Sequence, residues 1–569
     1  MTESPIPRQA AIDTRGSRGG LVMALSRLWA RAAQHKVGQW LLGYVAFAYA
    51  CLHGVEMLGE AFGWPSVVAR ITTVVLTGGI PVVSIFAWYS RAPGLSPMAS
   101  TELALPGALL HAPSQKSIAV LPFVDMSELK DQEYFSDGLS EDLIGLLTRI
   151  PDLRVPARTS SFYFKGKQTT IAEIAQALHV AHILEGSVRK SGNTVRIVVQ
   201  LIQADTGYHL WSQSYDRTLD DIFKVQDEIA GAVARSLSAT LLSTTLLARP
   251  LLLNSEAYQL YLRGRFHWNR RSPDDFRKAE KLFQQAIAID SHYALAFTGL
   301  ADCYSLLPIY DRGTLATETM PQAKTAILSA LALDDNLAEA HASFGLILAI
   351  YDFDWLAAER QYMRAIELSP NSAVSHQRYG EMLVNVGRFE AGLVEARQAV
   401  DLDPLSQVAN LALGIQLNSA RRFDEAIAQL QKTLKLGRNF ADTNYFLFEA
   451  YANKELYKEA VTVYARQKRL DGESAIEVEA LRGAFARDSW LGFLRHRIKS
   501  LEIQTRPATD EIASFCARAG DLDQAFAWLE QSFAARSARL THLKVDARYD
   551  NLRREPRFED LLRRVGLAA

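Results

Sequence analysis

Two near-continuous apolar runs stand near the start of the chain, VGQWLLGYVAFAYACLHGVEML (37–58) and VVARITTVVLTGGIPVVSIFAWYS (67–90). As helices, each is about 30 Å long, the thickness of bilayer hydrocarbon. GEAFGWPS between them carries Gly and Pro as helix punctuation. Trp40, Trp64, Trp88 and Tyr89 lie near the run ends, where amphipathic rings favour the interface. The pattern predicts two transmembrane helices over 37–90, preceded by a basic tail over 1–36. A proline-bearing, weakly charged stretch over 91–115 reads as a flexible spacer. From 116 to 245 the pattern switches to short apolar runs alternating with amphipathic helix periods, which predicts an α/β module with a mixed sheet. From 255 to 470 the helical period persists without strands. An irregular helical connector (471–508) and a last helical pair with a charged cap (509–569) complete the chain. The fold class expected is multi-domain: a transmembrane helical hairpin, an α/β module and an all-α superhelix.

The all-α region repeats. Gly380 to Gly414, Gly392 to Ala426 and Pro370 to Pro404 are each 34 residues apart. Small residues at that interval let the helices of a pair approach closely, and the period is that of tetratricopeptide (TPR) units. The best unit starts at Ala373, with Tyr379, Gly380 and Leu383 on its first helix and Gly392, Ala396 and Ala399 on its second. Units starting at Ala338, Gln407 and Ala441 repeat the scheme, the last with Phe448 at the glycine position. Two upstream units, from Ser255 and Ala294, are degenerate. Such an array presents a concave groove lined by its first helices. Helix phase places Gln377, Glu381 and Val384 there, then Leu411, Ile415 and Asn418, then Tyr445 and Glu449. This mixed surface suits a peptide or helix of a protein partner. The alternative is a groove filled by the chain's own loops.

In the α/β module, SIAVLPF (117–123) reads as a buried strand and LRVPA (153–157) as a second. The helix between them opens with Asp137, Glu141 and Asp142. Carboxylates after a strand are common in α/β active sites, but no nucleophile or base pattern accompanies these. Ser136 or Asp137 is expected to cap the helix, the other acids facing solvent and the helix dipole. A second helix is expected over 170–180, a hairpin turn at Ser191-Gly192-Asn193, and a closing helix from Leu219 to about Leu242.

The segments Ile118–Phe123, Tyr134–Leu139, Leu184–Arg189 and Trp211–Asp216 together resemble the TolB-like α/β module of bacterial multi-domain proteins. That resemblance implies a module joined to TPR repeats and used for protein binding or sensing, without catalytic residues. It also implies a membrane segment and, in many members, a cytoplasmic cyclase or winged-helix output domain. The 36 residues ahead of the first apolar run are too few for such a domain.

Charge and composition exclude more than they assign. The chain carries 62 basic and 63 acidic residues, so no basic nucleic-acid footprint is expected. Cys51, Cys303 and Cys516 are too scattered for a disulfide framework or a zinc site. His179 and His182 lack a third ligand nearby and straddle a helix end. No phosphate-binding loop or hydrolase motif is present. No catalytic residue, metal or cofactor is therefore expected. Arginines in the tail place the N-terminus in the cytoplasm. The soluble part is then cytoplasmic at the inner membrane if both apolar segments span, and periplasmic if one does. Cleavage after Ala48-Tyr49-Ala50 would instead export the remainder. The function expected is a membrane-anchored scaffold or adaptor for partner polypeptides, in contact with the lipid bilayer. The alternative is a sensory or regulatory component acting on a separate cyclase or transcription regulator.

Overall fold

The computed structural model describes residues 114–150, 152–237, 254–311, 313–437 and 441–568. All belong to the second of two compact units, His111–Ala569. The basic tail, both apolar runs, most of the spacer and the end of the closing helix expected near Leu242 lie outside the described residues. Among the described residues, no helix is long and apolar enough to cross a membrane.

From Thr194 to Leu201 the buried residues Val195, Ile197, Val199 and Leu201 alternate with half-buried or exposed ones, so one face of a strand is buried throughout. That strand, β4 (Thr194–Gln203), pairs antiparallel with β3 (His182–Ser191) and β5 (His209–Thr218). Short β1 (Ile118–Val120) and β2 (Val124–Asp125) pair parallel with β3, giving a mixed sheet in the order β1-β3-β4-β5. LRVPA contributes an isolated bridge, Arg154 to Ser117, rather than the strand expected, and α2 (Arg158–Phe162) follows it. Helix α1 (Glu133–Leu147) buries Leu139, Leu143, Leu146 and Leu147 against the sheet. Helix α3 (Ile171–Leu178) starts with a Thr170–Glu173 capping box. A 3₁₀ turn (Leu219–Asp221) then leads into α4 (Ile222–Ser236).

Helical hairpins follow. They are α5 (Ser255–Trp268) with α6 (Pro273–Ile289), α7 (Ala294–Tyr310) with α8 (Ala316–Leu333), and α9 (Ala338–Ile347) with α10 (Trp355–Leu368). Next are α11 (Ala373–Asn385) with α12 (Phe389–Leu402), α13 (Gln407–Ser419) with α14 (Phe423–Leu436), and α15 (Ala441–Asn453) with α16 (Tyr457–Leu470). A Cβ at Gly380 would lie 2.8 Å from the Gly392 carbonyl oxygen, so glycine is what lets α11 and α12 touch backbone to backbone. At Gly264 and Gly345 the space is instead filled by Phe283 and Tyr362 from the second helix. A π-helical turn (Leu348–Asp352) absorbs the extra residue between α9 and α10.

Helix α17 (Ala475–Glu502) is broken at Asp488 and Ser489. It is followed by α18 (Thr509–Ala519), α19 (Leu522–Ala534), two 3₁₀ turns (Ala538–His542 and Ala547–Leu552) and α20 (Pro556–Arg564). This last part turns back onto the array. Phe533 stacks on Phe353 with centroids 6.3 Å apart, and Arg536 donates to the Tyr351 carbonyl at 3.2 Å. The Trp355 indole donates to the Val565 carbonyl at 2.9 Å. The hairpins from α9 onward therefore close into a ring. Its core is continuous from Trp355 and Tyr362 through Phe448 and Phe515 to Phe558 and Leu561.

Candidate functional site

The acidic helix start is the first place to look. Helix α1 begins at Glu133 with Gln132 ahead of it, so Ser136 and Asp137 are buried inside the helix and cap nothing. The Asp137 carboxylate is gripped by the Lys165 ammonium at 2.6 and 2.7 Å. Burial pushes its pKa above the usual carboxylate value, and Lys165 opposes the rise. Glu141 pairs with Arg158 at 3.0 Å, receives the Arg265 guanidinium, and accepts from Asn269 at 3.1 Å. Burial pushes this carboxyl up, but the two arginines outweigh it and hold the pKa below its ordinary value. Asp142 accepts from the Tyr258 hydroxyl at 2.7 Å and from Gln226 at 2.9 Å. These carboxylates are not the capped, solvent-facing set expected from the sequence. Glu141 and Asp142 clamp α1 to the first array helix through Arg265 and Tyr258 of α5, while Asp137 is held within the module by Lys165.

The clamp is one end of a longer joint. The Asn371 amide, between α10 and α11, donates toward the carbonyls of Thr148, Ile150 and Leu153 at 3.2–3.4 Å. One hairpin later, Ala157 N–H donates to the Leu402 carbonyl at 2.9 Å, and Arg154 donates to Asp401 O at 2.8 Å. Buried Asp403 accepts from Ser160 N–H at 2.9 Å and from its hydroxyl. Burial pushes the Asp403 carboxyl up to about 6, against the pull of those hydrogen bonds. The α/β module is thus fixed to the array at three separated points. A cleft beside the clamp is lined by Glu141, Arg149, Tyr261, Arg265, Thr298 and Glu339, and its buried charges already face one another in the Glu141–Arg265 pair.

The predicted groove residues divide into three groups. Val384 and Leu411 are core: Val384 packs against Gly392 of its own hairpin, and Leu411 joins Leu393, Ala396 and Val400. Their phase on the helix puts them toward the second helices rather than the concave side. Gln377 and Ile415 are half-buried, and Asn418 accepts from Asn453 at 3.1 Å. Glu381, Tyr445 and Glu449 are each met by the chain's own end. Arg548 donates to the Tyr445 hydroxyl at 3.0 Å and lies 3.9 Å from Glu449, which also faces Arg518 at 2.8 Å. His542 reaches Glu381 at 3.6 Å, and burial drives its imidazole down to about 4. Arg421 pairs with Asp550 at 2.6 Å, and Arg539 with Asp510 at 3.0 Å. Residues 537–553 therefore occupy the mouth of the array. The charged run KVDARYDNLRR (544–554) marks this segment in the sequence, but nothing local says where it docks. Among the described residues, no cluster of three or more His, Cys, Asp and Glu could hold a metal. His182 is buried against the Ser117 carbonyl.

Residues 114–232 match the family described as HilA/YgeH-like transcriptional regulator, second domain. The chain is 35% identical over 240 residues to the putative adenylate cyclase 3 of Rhizobium meliloti, covering 42% of this chain and 41% of that protein. It is 24% identical over 288 residues to the transcriptional regulator HilA of Salmonella typhimurium, covering 49% and 50%. The chain thus spans half or less of the length of these curated relatives. Among solved structures it is similar to YrrB, described as a TPR protein with an unusual peptide-binding site. That likeness has 20% identity and a TM-score of 0.25, and covers 35% of this chain and 97% of that one. PilW, a type IV pilus biogenesis factor, is 15% identical with a TM-score of 0.32, covering 39% and 96%.

Proposed function

We propose that this chain is a non-catalytic, membrane-anchored interaction protein that holds partner polypeptides on a rigid body made of a TolB-like module and a TPR array. The observation that carries this reading is the three-point joint. Asp137, Glu141, Asp142 and Asp403, the acids that an enzyme could have used, are spent on fixing the module and its links to the hairpins. A body so fixed keeps its binding surfaces at a constant spacing, which is what a scaffold requires. The segments 37–58 and 67–90 supply the anchor in this reading, with the N-terminus in the cytoplasm.

A second reading, regulation of a separate output protein, is favoured by the match of 114–232 to a domain of transcriptional regulators and by the cyclase relative. Cross-linking in intact membranes followed by mass spectrometry distinguishes the two. Cross-links from 114–232 to diverse envelope or cytosolic proteins support the scaffold. Cross-links to one nucleotide cyclase or transcription factor support the regulator. A chain that gives no specific cross-link, and is released from membranes by carbonate, sinks both. Reporter fusions at the C-terminus assign the side of the membrane.

A further inference from the structure

The segment between α19 and α20 joins the shared core through Leu540, Leu543, Tyr549 and Leu552, but meets the array mouth with charged and polar groups as well. Two buried polar atoms where it meets the array have no hydrogen-bond partner among the described residues: Nδ1 of His542 and Nη1 of Arg518. The Glu449 oxygens lie in ion-pair range of Arg518 and Arg548, yet accept no aligned hydrogen bond. A settled core leaves few such groups, because each costs about 1–3 kcal/mol. The segment leaves α19 at Arg536, whose φ is +52°, and crosses Arg421, whose φ is +62°. Both side chains hold it at the rim, Arg536 on Tyr351 and Arg421 on Asp550.

Charge identifies what else fits there. The segment brings Arg539 over the Tyr445 ring and to Asp510 of α18, and Arg548 to the Tyr445 hydroxyl and Glu449, Arg548 also pairing with Asp546 of the segment itself. Leu540, Leu543, Val545, Tyr549 and Leu552 are the buried apolar anchors between and beyond them. We propose that residues 537–553 are a built-in ligand of the array mouth, and that a partner's segment of the same chemistry competes for the site. That chemistry is two arginines about nine residues apart with aliphatic or aromatic anchors between them. This deepens the scaffold reading and rests on it: the occupied mouth becomes a partner site that is shut until a competitor arrives.

The test uses the full-length protein and a fluorescein-labelled peptide of residues 537–554, read by anisotropy. The double variant R421G/R536G removes both rim contacts, and glycine suits the positive φ at the two positions. It is expected to bind the peptide at least tenfold more tightly than the wild type. Glu449→Gln in that background should weaken binding at least fivefold, and a peptide with both arginines replaced by glutamate should not bind. Equal binding by wild type and double variant, or equal binding of the two peptides, overturns the proposal. A second measurement needs no variant: in wild-type protein, amides of 540–552 should exchange at least tenfold faster than those of α13. Equal protection means a fixed structural element and likewise overturns it. Cross-links from 114–232 to partners would persist in that case, so failure here is distinguishable from failure of the scaffold reading.

Discussion

Asp403 shows how much one side chain can carry. Its folded pKa, about 6, lies above the ordinary 3.8 because burial penalises the charged form. A group raised in this way stabilises the fold fully below pH 4, and that contribution is lost as pH rises through 6. The window amounts to on the order of 3 kcal/mol. Asp403→Asn keeps an oxygen for Ser160 and removes the titration. Urea midpoints should therefore favour the variant over wild type more at pH 7.5 than at pH 4.5, and an unchanged difference between the two pH values would refute the assignment. At this scale the sequence was legible in residue type and misleading in role. Asp142, Glu141 and Asp137 stood out, but Tyr258 is 116 residues from Asp142, and Arg265 is 124 from Glu141. Helix phase cannot anticipate partners that far along the chain. Solvent and the helix dipole were therefore the nearest partners to assume, and the structure replaced them with arginines, lysine and tyrosine.

Among the elements, the hairpins were legible because their spacing is enforced by contact. The first helices begin at Ser255, Ala294, Ala338, Ala373, Gln407 and Ala441, where the repeat pattern also begins. Gly392 is such a contact: a Cβ there would lie 2.7 Å from the Gly380 carbonyl oxygen and 2.6 Å from Val384 Cγ2. Gly392→Ala should cost about 1–3 kcal/mol by forcing α11 and α12 apart. Gly145, in α1, has nothing within 4 Å of such a Cβ, so Gly145→Ala should instead stabilise by about 0.5–1 kcal/mol. Equal effects of the two substitutions in urea titration would disprove the close-approach argument. Strand assignment was less legible. LRVPA is apolar and short, but beyond the single bridge at Arg154 it leaves the sheet: the Ala157 N–H and the Arg154 side chain donate to the last carbonyls of α12.

Closure of the array was not readable from local pattern. It depends on Trp355 meeting Val565, 210 residues away, and Arg536 meeting Tyr351, 185 away. A linear array unfolds hairpin by hairpin, since each touches only its neighbours. A ring couples its first and last members. Deleting residues 537–569 should therefore split a single thermal transition of the array into at least two and raise the radius of gyration in X-ray scattering. Retention of one transition and of the wild-type radius would show that the seam holds nothing together.

The seam between Trp355 and Val565 also fixes arithmetic that open solenoids leave free. Stacked helices sit about 8–10 Å apart, so one hairpin added or lost moves every later element by at least that distance. An open-ended array absorbs the shift at its tip. Here the indole and its carbonyl would miss each other, so adding or removing one hairpin between α9 and α20 is expected to open the seam.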